Sequence, residues 1–394
     1  MRFEVNRELM LDAARCVARV APSKSPIDEL NNILIESNDD TGEVYLTATN
    51  HEISIQQKIF ASVMESGSML ITPRLLVDMM SKLEGDYVTL SADRPDVLKI
   101  RGGRCTFQIN CLSSKFYPKP TMPFPEESVH MTGICSLAKR TVFAVGKDDS
   151  KPILQCVNIK LKNNAVHAEA FDGMRMMLTK DSSGPNDAQE FLLPGHALQM
   201  LASISSDSDV FEVSDIGKTI VFVRGDMIFT IRKLAVGDYV DTASLVKRIK
   251  PEYSAIVECE KMKEALGLIL VSASVGNMRE PVNLVMSGKE ITLSCNSDYT
   301  NAQAVVPAKV LTETPNTGFF YNVSALLKLF QVVNGKIKME INEKGFIFLK
   351  TSSEVYLQSP VQAPIRKSEH LTTKSKRAKG AEDVKVKKET QDVA

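Results

Sequence analysis

Residues 43–55 read Glu-Val-Tyr-Leu-Thr-Ala-Thr-Asn50-His-Glu-Ile-Ser-Ile, and this stretch decides the fold. Two alternating apolar segments, typical of half-buried strands, flank a polar residue that suits a tight turn. The pattern returns at residues 165–177 around Asp172 and at residues 290–300 around Asp298. The turn residues lie about 125 residues apart, which is the size of a domain and too long for a solenoid repeat. The sequence therefore predicts three repeats of one domain.

Each repeat divides again into two halves, in which a helix is followed by strands. Apolar residues at helical spacing predict helices over residues 6–20, 74–83, 136–145, 194–204, 261–273 and 323–333. Alternating segments predict strands over residues 32–37, 43–48, 53–60, 87–91, 97–101, 105–111, 153–161, 165–170, 175–179, 210–213, 219–223, 227–234, 336–341, 346–351 and 354–358, and from 282 onward. This pattern indicates the α+β class, with a twofold helix-plus-sheet repeat in each domain and helices packed on one face of curved sheets.

The joins between repeats are predicted at residues 123–127 and 247–253, which contain proline and charge but little periodicity. We therefore expect domains at residues 1–126, 127–250 and 251–366, followed by a tail at 367–394. The tail holds eight basic and five acidic residues and few apolar ones, so it is expected to be a disordered basic appendage.

Composition narrows the class of protein. The seven cysteines are scattered, form no C-x-x-C pair and are odd in number, which favours reduced thiols inside a cell. Arg2, Glu4 and Arg7 interrupt any apolar run of the kind that opens a signal peptide. No stretch approaches the roughly 18 apolar residues of a membrane helix. We expect a cytoplasmic protein with no membrane segment.

The chemistry of an enzyme is hard to find in this sequence. The five histidines lack metal-ligand spacing, and neither a metal nor another cofactor is predicted. Gly217-Lys218-Thr219 resembles the end of a phosphate-binding loop, but Glu212 occupies the place of that loop's first glycine. Asp172 is a candidate catalytic carboxylate, yet Asn50 in the equivalent place indicates a turn residue. We expect a protein that is not an enzyme.

Several segments resemble, in their order and spacing, the bacterial DNA polymerase III beta subunit, the replicative sliding clamp. They are the opening Met-Arg-Phe-Glu-Val and residues 30–35, 46–55, 141–145, 151–154, 171–175, 237–242 and 356–361. The resemblance covers residues 1–362 and implies a head-to-tail homodimer whose six domains form a ring around double-stranded DNA. It also implies a non-catalytic processivity factor. Its partners would be the replicative DNA polymerase, a clamp loader and other proteins that carry a clamp-binding motif.

The resemblance implies two sites that contact proteins. A partner-peptide pocket between the second and third domains would contain Leu154, Phe171, Gly173, Met174, Arg175, Met176, Leu245, Pro360 and Val361, with Val240, Asn322 and Leu357 as weaker candidates. The subunit interface would contain Phe107 and Val271. For the apolar members of the pocket, the alternative is an ordinary place in the core.

Basic residues on the predicted helices fit a pore that contacts phosphates without reading bases. Arg7, Arg15 and Arg19 recur at helical spacing on the first helix, opposite its apolar side. Other predicted helices contribute Arg74, Lys139, Arg140, Lys261, Lys263 and Lys328, and loops that match DNA-facing loops of the family contribute Lys24, Lys147 and Lys151. Solvated helix faces without DNA contact are the alternative for each of these residues.

The chain departs from the family's pattern within the implied pocket. Phe171 replaces a usual Thr, Met174 a usual His, Val240 a usual Pro, Ser244 a frequent Arg and Gln362 a usual Arg. These departures indicate a divergent or accessory clamp with its own partners. A protein-interaction scaffold that no longer encircles DNA is the second hypothesis, and an enzyme of unrecognised type is the third.

Overall fold

The computed structural model describes residues 1–94, 96–181, 189–234, 237–275, 280–297 and 299–363. The predicted tail and the turn residue Asp298 lie outside these ranges. The described helices are α1 (Arg7–Val17), α2 (Pro73–Lys82), α3 (Ile134–Thr141), α4 (Gly195–Ser203), α5 (Thr242–Arg248), α6 (Cys259–Ala273) and α7 (Val323–Val332). None of these described helices is long and apolar enough to cross a membrane.

The described strands follow the period-2 pattern of the sequence. In the first repeat they are β1 (Arg2–Asn6), β2 (Ile33–Asn38), β3 (Glu43–Thr49), β4 (Ile53–Phe60), β5 (Ser62–Glu65), β6 (Gly67–Ile71), β7 (Tyr87–Arg94), β8 (Val97–Gly102) and β9 (Cys105–Asn110). In the second they are β10 (Val129–Met131), β11 (Cys156–Lys162), β12 (Ala165–Phe171), β13 (Arg175–Asp181), β14 (Gln189–Pro194), β15 (Phe211–Ile216), β16 (Thr219–Arg224) and β17 (Met227–Arg232). The third has β18 (Tyr253–Glu258), β19 (Val282–Ser287), β20 (Glu290–Asn296), β21 (Asn301–Thr312), β22 (Phe319–Tyr321), β23 (Lys336–Ile341), β24 (Ile347–Lys350) and β25 (Glu354–Gln358).

The residues group into two compact units. The first contains Met1–Pro251, Ile337–Asn342 and Phe346–Gln358, and its strands pair in the orders β5-β1-β7-β8-β9, β10-β15-β16-β17-β4-β3-β2-β6 and β14-β11-β12-β13-β25-β24-β23. The second contains Glu252–Lys336, Glu343–Gly345 and residues 359–363, with strand order β18-β21-β20-β19-β22. The helices pack in pairs, α1 on α2, α3 on α4 and α6 on α7. The α+β class predicted from the sequence is confirmed.

Helix α1 shows how the sequence selects its elements. The side chain of Asn6 accepts hydrogen bonds from the backbone N–H groups of Glu8 at 3.0 Å and Leu9 at 3.2 Å, which starts the helix. Met10, Ala13, Ala14 and Val17 are buried at helical spacing. Because each fully buried large aliphatic side chain contributes about 1.5–3 kcal/mol, this face holds the helix against the sheet.

Two predicted element boundaries are wrong. The predicted helix 136–145 ends at Thr141 and continues as a 3₁₀ turn, Val142–Ala144. The predicted strand 153–161 begins only at Cys156, because Pro152 starts another 3₁₀ turn, Pro152–Gln155. The predicted second join, residues 247–253, contains the end of α5 and the start of β18, and the domain bounds stay a prediction.

Candidate partner and nucleic-acid interfaces

The turn between β12 and β13 gives several predicted pocket residues their positions. Asp172 Oδ1 accepts hydrogen bonds from the N–H groups of Met174 at 2.8 Å and Arg175 at 2.6 Å. Asp172 Oδ2 accepts from Arg175 Nε at 2.8 Å and Nη2 at 2.6 Å. Gly173 has a φ of 91°, which a glycine adopts without strain. The guanidinium of Arg175 is therefore held against the turn, while Met174 is 45% exposed.

The same turn occurs in the other two repeats. Asn50 Oδ1 accepts from the N–H groups of Glu52 at 3.0 Å and Ile53 at 2.8 Å, and His51 takes the positive φ. In the third repeat, the hydroxyl of Ser297 accepts from the N–H groups of Tyr299 at 3.3 Å and Thr300 at 2.9 Å. The third acceptor is therefore Ser297, one residue before the predicted Asp298. We call Asn50, Asp172 and Ser297 the turn acceptors.

An apolar cluster lies behind the second turn, within the first unit. Met176, Phe348 and Leu357 are its buried members. Phe171, Leu178, Val246, Ile249, Phe346 and Val355 pack against them while only partly buried. The cluster thus brings together two predicted pocket residues, Phe171 and Met176, and a weaker candidate, Leu357. Because Met176 and Leu357 are paired across β13 and β25, strand register fixes their contact.

The segment before α5 is hydrogen-bonded to the start of β11. The Tyr239 hydroxyl donates to the carbonyl of Cys156 at 3.3 Å, and burial raises the pKa of Tyr239. Asp241 caps α5 by accepting from the N–H of Ser244 at 3.0 Å. Hydrogen bonds from the hydroxyl and the N–H of Ser244 lower the pKa of Asp241. Predicted pocket residue Leu245 is half-buried on this short helix, beside Val246 of the cluster.

Three predicted pocket residues are not among the members of that cluster. Leu154 is half-buried in the 3₁₀ turn before β11, where its carbonyl accepts from the N–H of Gly146 at 2.7 Å. Pro360 and Val361 belong to the second unit, and the N–H of Val361 donates to the carbonyl of Phe320 at 2.7 Å. Their membership of a pocket with Leu154 stays a prediction.

Three arginines predicted to contact DNA meet at the end of α1. Arg15, Arg19 and Arg74 line one cavity of about 1000 Å³ between α1 and α2. Arg15 lies 3.8 Å from Asp12 and Arg74 lies 3.6 Å from Asp78. Since the side chains of Arg15 and Arg74 are 56% and 91% exposed, these surface pairs leave both guanidinium groups open to solvent.

Three of the predicted DNA-binding cations form hydrogen bonds with other residues of the chain. Arg7 donates from Nε to the carbonyl of Gly85 at 3.1 Å and from Nη1 to that of Met80 at 3.1 Å, so it holds the end of α2. Lys263 binds Glu260 at 2.7 Å. These donors have partners within the fold, and contact between these residues and DNA stays a prediction.

Arg140 is the third of these cations. Its Nη1 donates to Thr179 Oγ1 at 3.1 Å and Glu354 Oε1 at 3.3 Å, and its Nε donates to the carbonyl of Ser136 at 3.2 Å. Its role is to tie α3 to β13 and β25. By contrast, the side chains of the remaining predicted cations are exposed: Lys24, Lys139, Lys147, Lys151, Lys261 and Lys328.

The two predicted interface residues lie on uncovered surfaces of the separate units. Phe107 is 37% exposed on β9, which pairs only with β8 among the described strands. Val271 is 72% exposed on α6, and Leu268, one turn earlier, is 70% exposed. Tyr299, beside the third turn acceptor, is 75% exposed. Sequence reasoning missed Leu268 and Tyr299, although the helical spacing of Leu268 and Val271 was a usable signal.

Two of the described thiols, Cys16 and Cys156, are held in the protonated form. Burial raises the pKa of Cys16 to about 11 and that of Cys156 to about 12, so these thiols stay protonated at neutral pH. Within the described ranges, no group of three or more His, Cys, Asp or Glu side chains could hold a metal ion.

Comparison with protein families gives two matches. The model of the DNA polymerase III beta subunit N-terminal domain matches residues 1–123. The model of the central domain of the same subunit matches residues 129–241. Together these matches cover more than half of the chain.

Individual relatives agree with the family match. The "Beta sliding clamp" of Synechococcus elongatus is 26% identical over 374 residues, which cover 91% of this chain and 97% of the relative. The "Beta sliding clamp" of Bacillus subtilis is 24% identical over 335 residues, covering 81% and 87%. The crystal structure of the B. subtilis DNA polymerase sliding clamp is similar in fold, with a TM-score of 0.83 and 22% identity. It covers 92% of this chain and all of that chain.

Proposed function

Because the chain belongs to the DNA polymerase III beta subunit family, we propose that it works as a DNA sliding clamp, a ring around duplex DNA that holds the replicative polymerase on its template. Two copies of the chain form the ring. It acts in the cytoplasm, at the nucleoid during replication, and performs no catalytic step.

The observation that carries the proposal is a strand junction made twice within the first unit. Ile53, three residues after the turn acceptor Asn50, pairs with Ile231, the fifth residue of β17. Arg175, three residues after the turn acceptor Asp172, pairs with Gln358, the fifth residue of β25. Both junctions therefore have the same antiparallel register: the residue three positions after the turn acceptor pairs with the fifth residue of the other repeat's strand.

Two of the described strands, β21 and β9, have unpaired edges that could form a third junction with the same register. Residues 301–307 of β21 pair with β20 on one side, while β18 pairs only with residues 308–312. In the first unit, β9 pairs only with β8 among the described strands. Unpaired edges of this kind are templates for another chain. We infer that β21 of one protomer pairs with β9 of its partner.

The register of that junction follows from the other two. Thr300, three residues after Ser297, opposes Ile109, the fifth residue of β9. Phe107 then faces Ala302, whose small side chain leaves room for the ring. Because the two surfaces are unlike, the contact is head-to-tail, and two protomers close a ring if each turns the chain through half a circle.

The exposed cations supply the contact with DNA. Arg15, Arg19 and Arg74 form one cluster, and Lys139, Lys261 and Lys328 are exposed on other helices. Contacts of this kind neutralise phosphates and carry no sequence information, so direct affinity is weak and falls steeply with salt.

The second turn and its apolar cluster supply a partner-peptide surface. Met174 is exposed at the turn, Phe171 and Leu245 are half-buried behind it, and Leu154 lies at the start of β11. Pro360 and Val361 complete the proposed surface. Its ligands are short peptides with a polar anchor and spaced apolar side chains, carried by the polymerase, the clamp loader and other partners. Methionine adapts to varied partners.

A topological experiment tests this function. The protein is loaded onto nicked circular DNA, washed in salt that strips direct contacts, and followed after the circle is linearised. We expect retention on the circle and loss from the linear form. Retention that ignores linearisation would reject an encircling ring in favour of a scaffold bound by direct contacts. The same assay on a chain ending at Arg366 removes any affinity due to the basic tail.

A further inference from the structure

The arginine-lined cavity in the first unit has a smaller equivalent. That second cavity, about 300 Å³, is lined by Glu52, His196 and the end of β17 from Ile231 to Leu234. His196 is the second residue of α4, and its Nε2 lies 3.1 Å from Glu52 Oε2. Glu52, two residues after the turn acceptor Asn50, therefore helps to close the cavity where the first two repeats meet.

The larger cavity is lined by residues at equivalent positions of its own repeat. Arg74 is the second residue of α2, as His196 is of α4. Ile109–Leu112 lines the larger cavity and Ile231–Leu234 the smaller, and both stretches begin at the fifth residue of a strand. The two hairpins match, since Gly102 pairs with Cys105 as Arg224 pairs with Met227.

The difference lies in the residue that closes the cavity. Among the described residues, the lining of the larger cavity includes none from a turn like that of Asn50. The third turn has the required residue on its surface, because Tyr299 follows Ser297 by two, as Glu52 follows Asn50. Tyr299 is 75% exposed and the Arg74 side chain 91% exposed.

We propose that Tyr299 of one protomer inserts into the arginine-lined cavity of its partner and packs against Arg74. Leu70, Ile109 and Leu112 give the cavity an apolar lining that the aromatic ring of Tyr299 can contact. A tyrosine ring on a guanidinium face gains both stacking and cation–π attraction. The proposal rests on the proposed ring and names the residue that fills its subunit junction.

Fluorescence tests the insertion, because the chain has no tryptophan. Tyr299→Trp introduces a single tryptophan, whose emission is separated from that of the tyrosines by selective excitation. We expect blue-shifted emission and several-fold protection from acrylamide in the dimer, and loss of both when Phe107→Glu is added to separate the protomers. Phe124→Trp, at a residue 68% exposed in the join between the first two repeats, is the control and should emit alike in both states.

The outcomes separate this inference from the proposed function. If the Tyr299→Trp protein is a dimer whose introduced indole is fully quenched, the insertion is overturned and the ring still stands, whereas a monomeric wild-type protein would overturn both. If Tyr299→Trp itself prevents dimerisation, the dimer Kd values of Tyr299→Phe and Tyr299→Ala test the insertion. Loss of a buried aromatic anchor should raise the dimer Kd by about tenfold or more in Tyr299→Ala, and Tyr299→Phe should stay close to wild type. Unchanged Kd in Tyr299→Ala would reject the proposal.

Discussion

Lys139 and Arg140 are adjacent, equally basic and yet placed to do different things. Lys139 is exposed on α3, while the Arg140 side chain is 21% exposed and hydrogen-bonded to Thr179 and Glu354. The identity of a residue predicts its charge. The direction of its side chain decides whether that charge is exposed to solvent or bound within the protein. The same distinction separates Arg19, which is exposed just after α1, from Arg7 at its first position.

Arg140→Ala and Lys139→Ala form a matched pair. We expect Arg140→Ala to lower the free energy of unfolding by about 1.5–3 kcal/mol, because it removes hydrogen bonds to a charged group and leaves Glu354 without this partner. Lys139→Ala should leave unfolding within about 0.5 kcal/mol of wild type and reduce the salt-dependent binding of DNA. Urea denaturation and a DNA-binding titration measure the two effects, and the reverse pattern would contradict the assignment.

Met174 tests the partner-peptide surface. Its side chain is 45% exposed, so Met174→Glu should fold and dimerise normally. We expect the new carboxylate, desolvated against an apolar ligand, to abolish binding of a polymerase-derived peptide. Met174→Leu keeps the apolar contact and should bind within a few-fold of wild type. Calorimetry with one peptide compares all three proteins, and equal affinity for Met174→Glu would place the surface elsewhere.

At the scale of elements, periodicity predicted most helices and the α+β class because burial imposes it. Helix α1 and strand β12 alternate buried and exposed positions as their sequences indicate. Helix α5 escaped prediction because seven residues make only about two turns, too short for a periodic signal. Its start depends on the Asp241 cap, and its position depends on the apolar cluster, which includes residues more than a hundred positions away. The proposed partner surface rests on family resemblance, since Met174 and Leu245 show no local pattern.

The β9–β21 junction predicts a specific cross-link. At the equivalent junction, Lys58 N donates to Asp226 O and Arg232 N to Glu52 O, so Gln57 and Met227 face each other in a non-hydrogen-bonded pair. Their counterparts are Ala304 and Cys105, and such pairs have Cα atoms about 4.5 Å apart, within disulfide range.

Ala304→Cys should therefore form a disulfide with Cys105 of the partner subunit under mild oxidation. Non-reducing electrophoresis should show a species of about twice the chain mass. Gln303→Cys places its thiol on the other face of β21 and is the matched control. More efficient cross-linking by Gln303→Cys than by Ala304→Cys would show that the register of the junction differs by one residue from the one proposed.

At the scale of the whole molecule, the interface must be strong enough to keep a ring closed on DNA. Phe107, Leu268, Val271 and Tyr299 are large apolar or aromatic side chains exposed on the two separate units. Apolar groups that are exposed in the isolated chain stabilise an assembly once they are buried. The edge strands add backbone hydrogen bonds that fix the register.

Sizing tests the assembly directly. We expect the wild-type protein to elute and scatter as a dimer of the 43.5 kDa chain at micromolar concentration. Phe107→Glu or Val271→Glu should give folded monomers, because each would desolvate a charge in the interface. Circular dichroism checks that each variant folds, and Val210→Glu, at a residue 50% exposed in the second repeat, is the control. A monomeric native protein would contradict the ring.

The uncovered edge of β9 has a consequence for growth of the assembly. One chain has both unlike edges, so nothing in the edges themselves stops a third protomer from adding to the second. In the proposed ring, a closed pair differs from an open fibre only in whether each protomer turns the chain through half a circle. A substitution that straightens a join between repeats would then convert the proposed dimer into a filament without altering any residue of the interface.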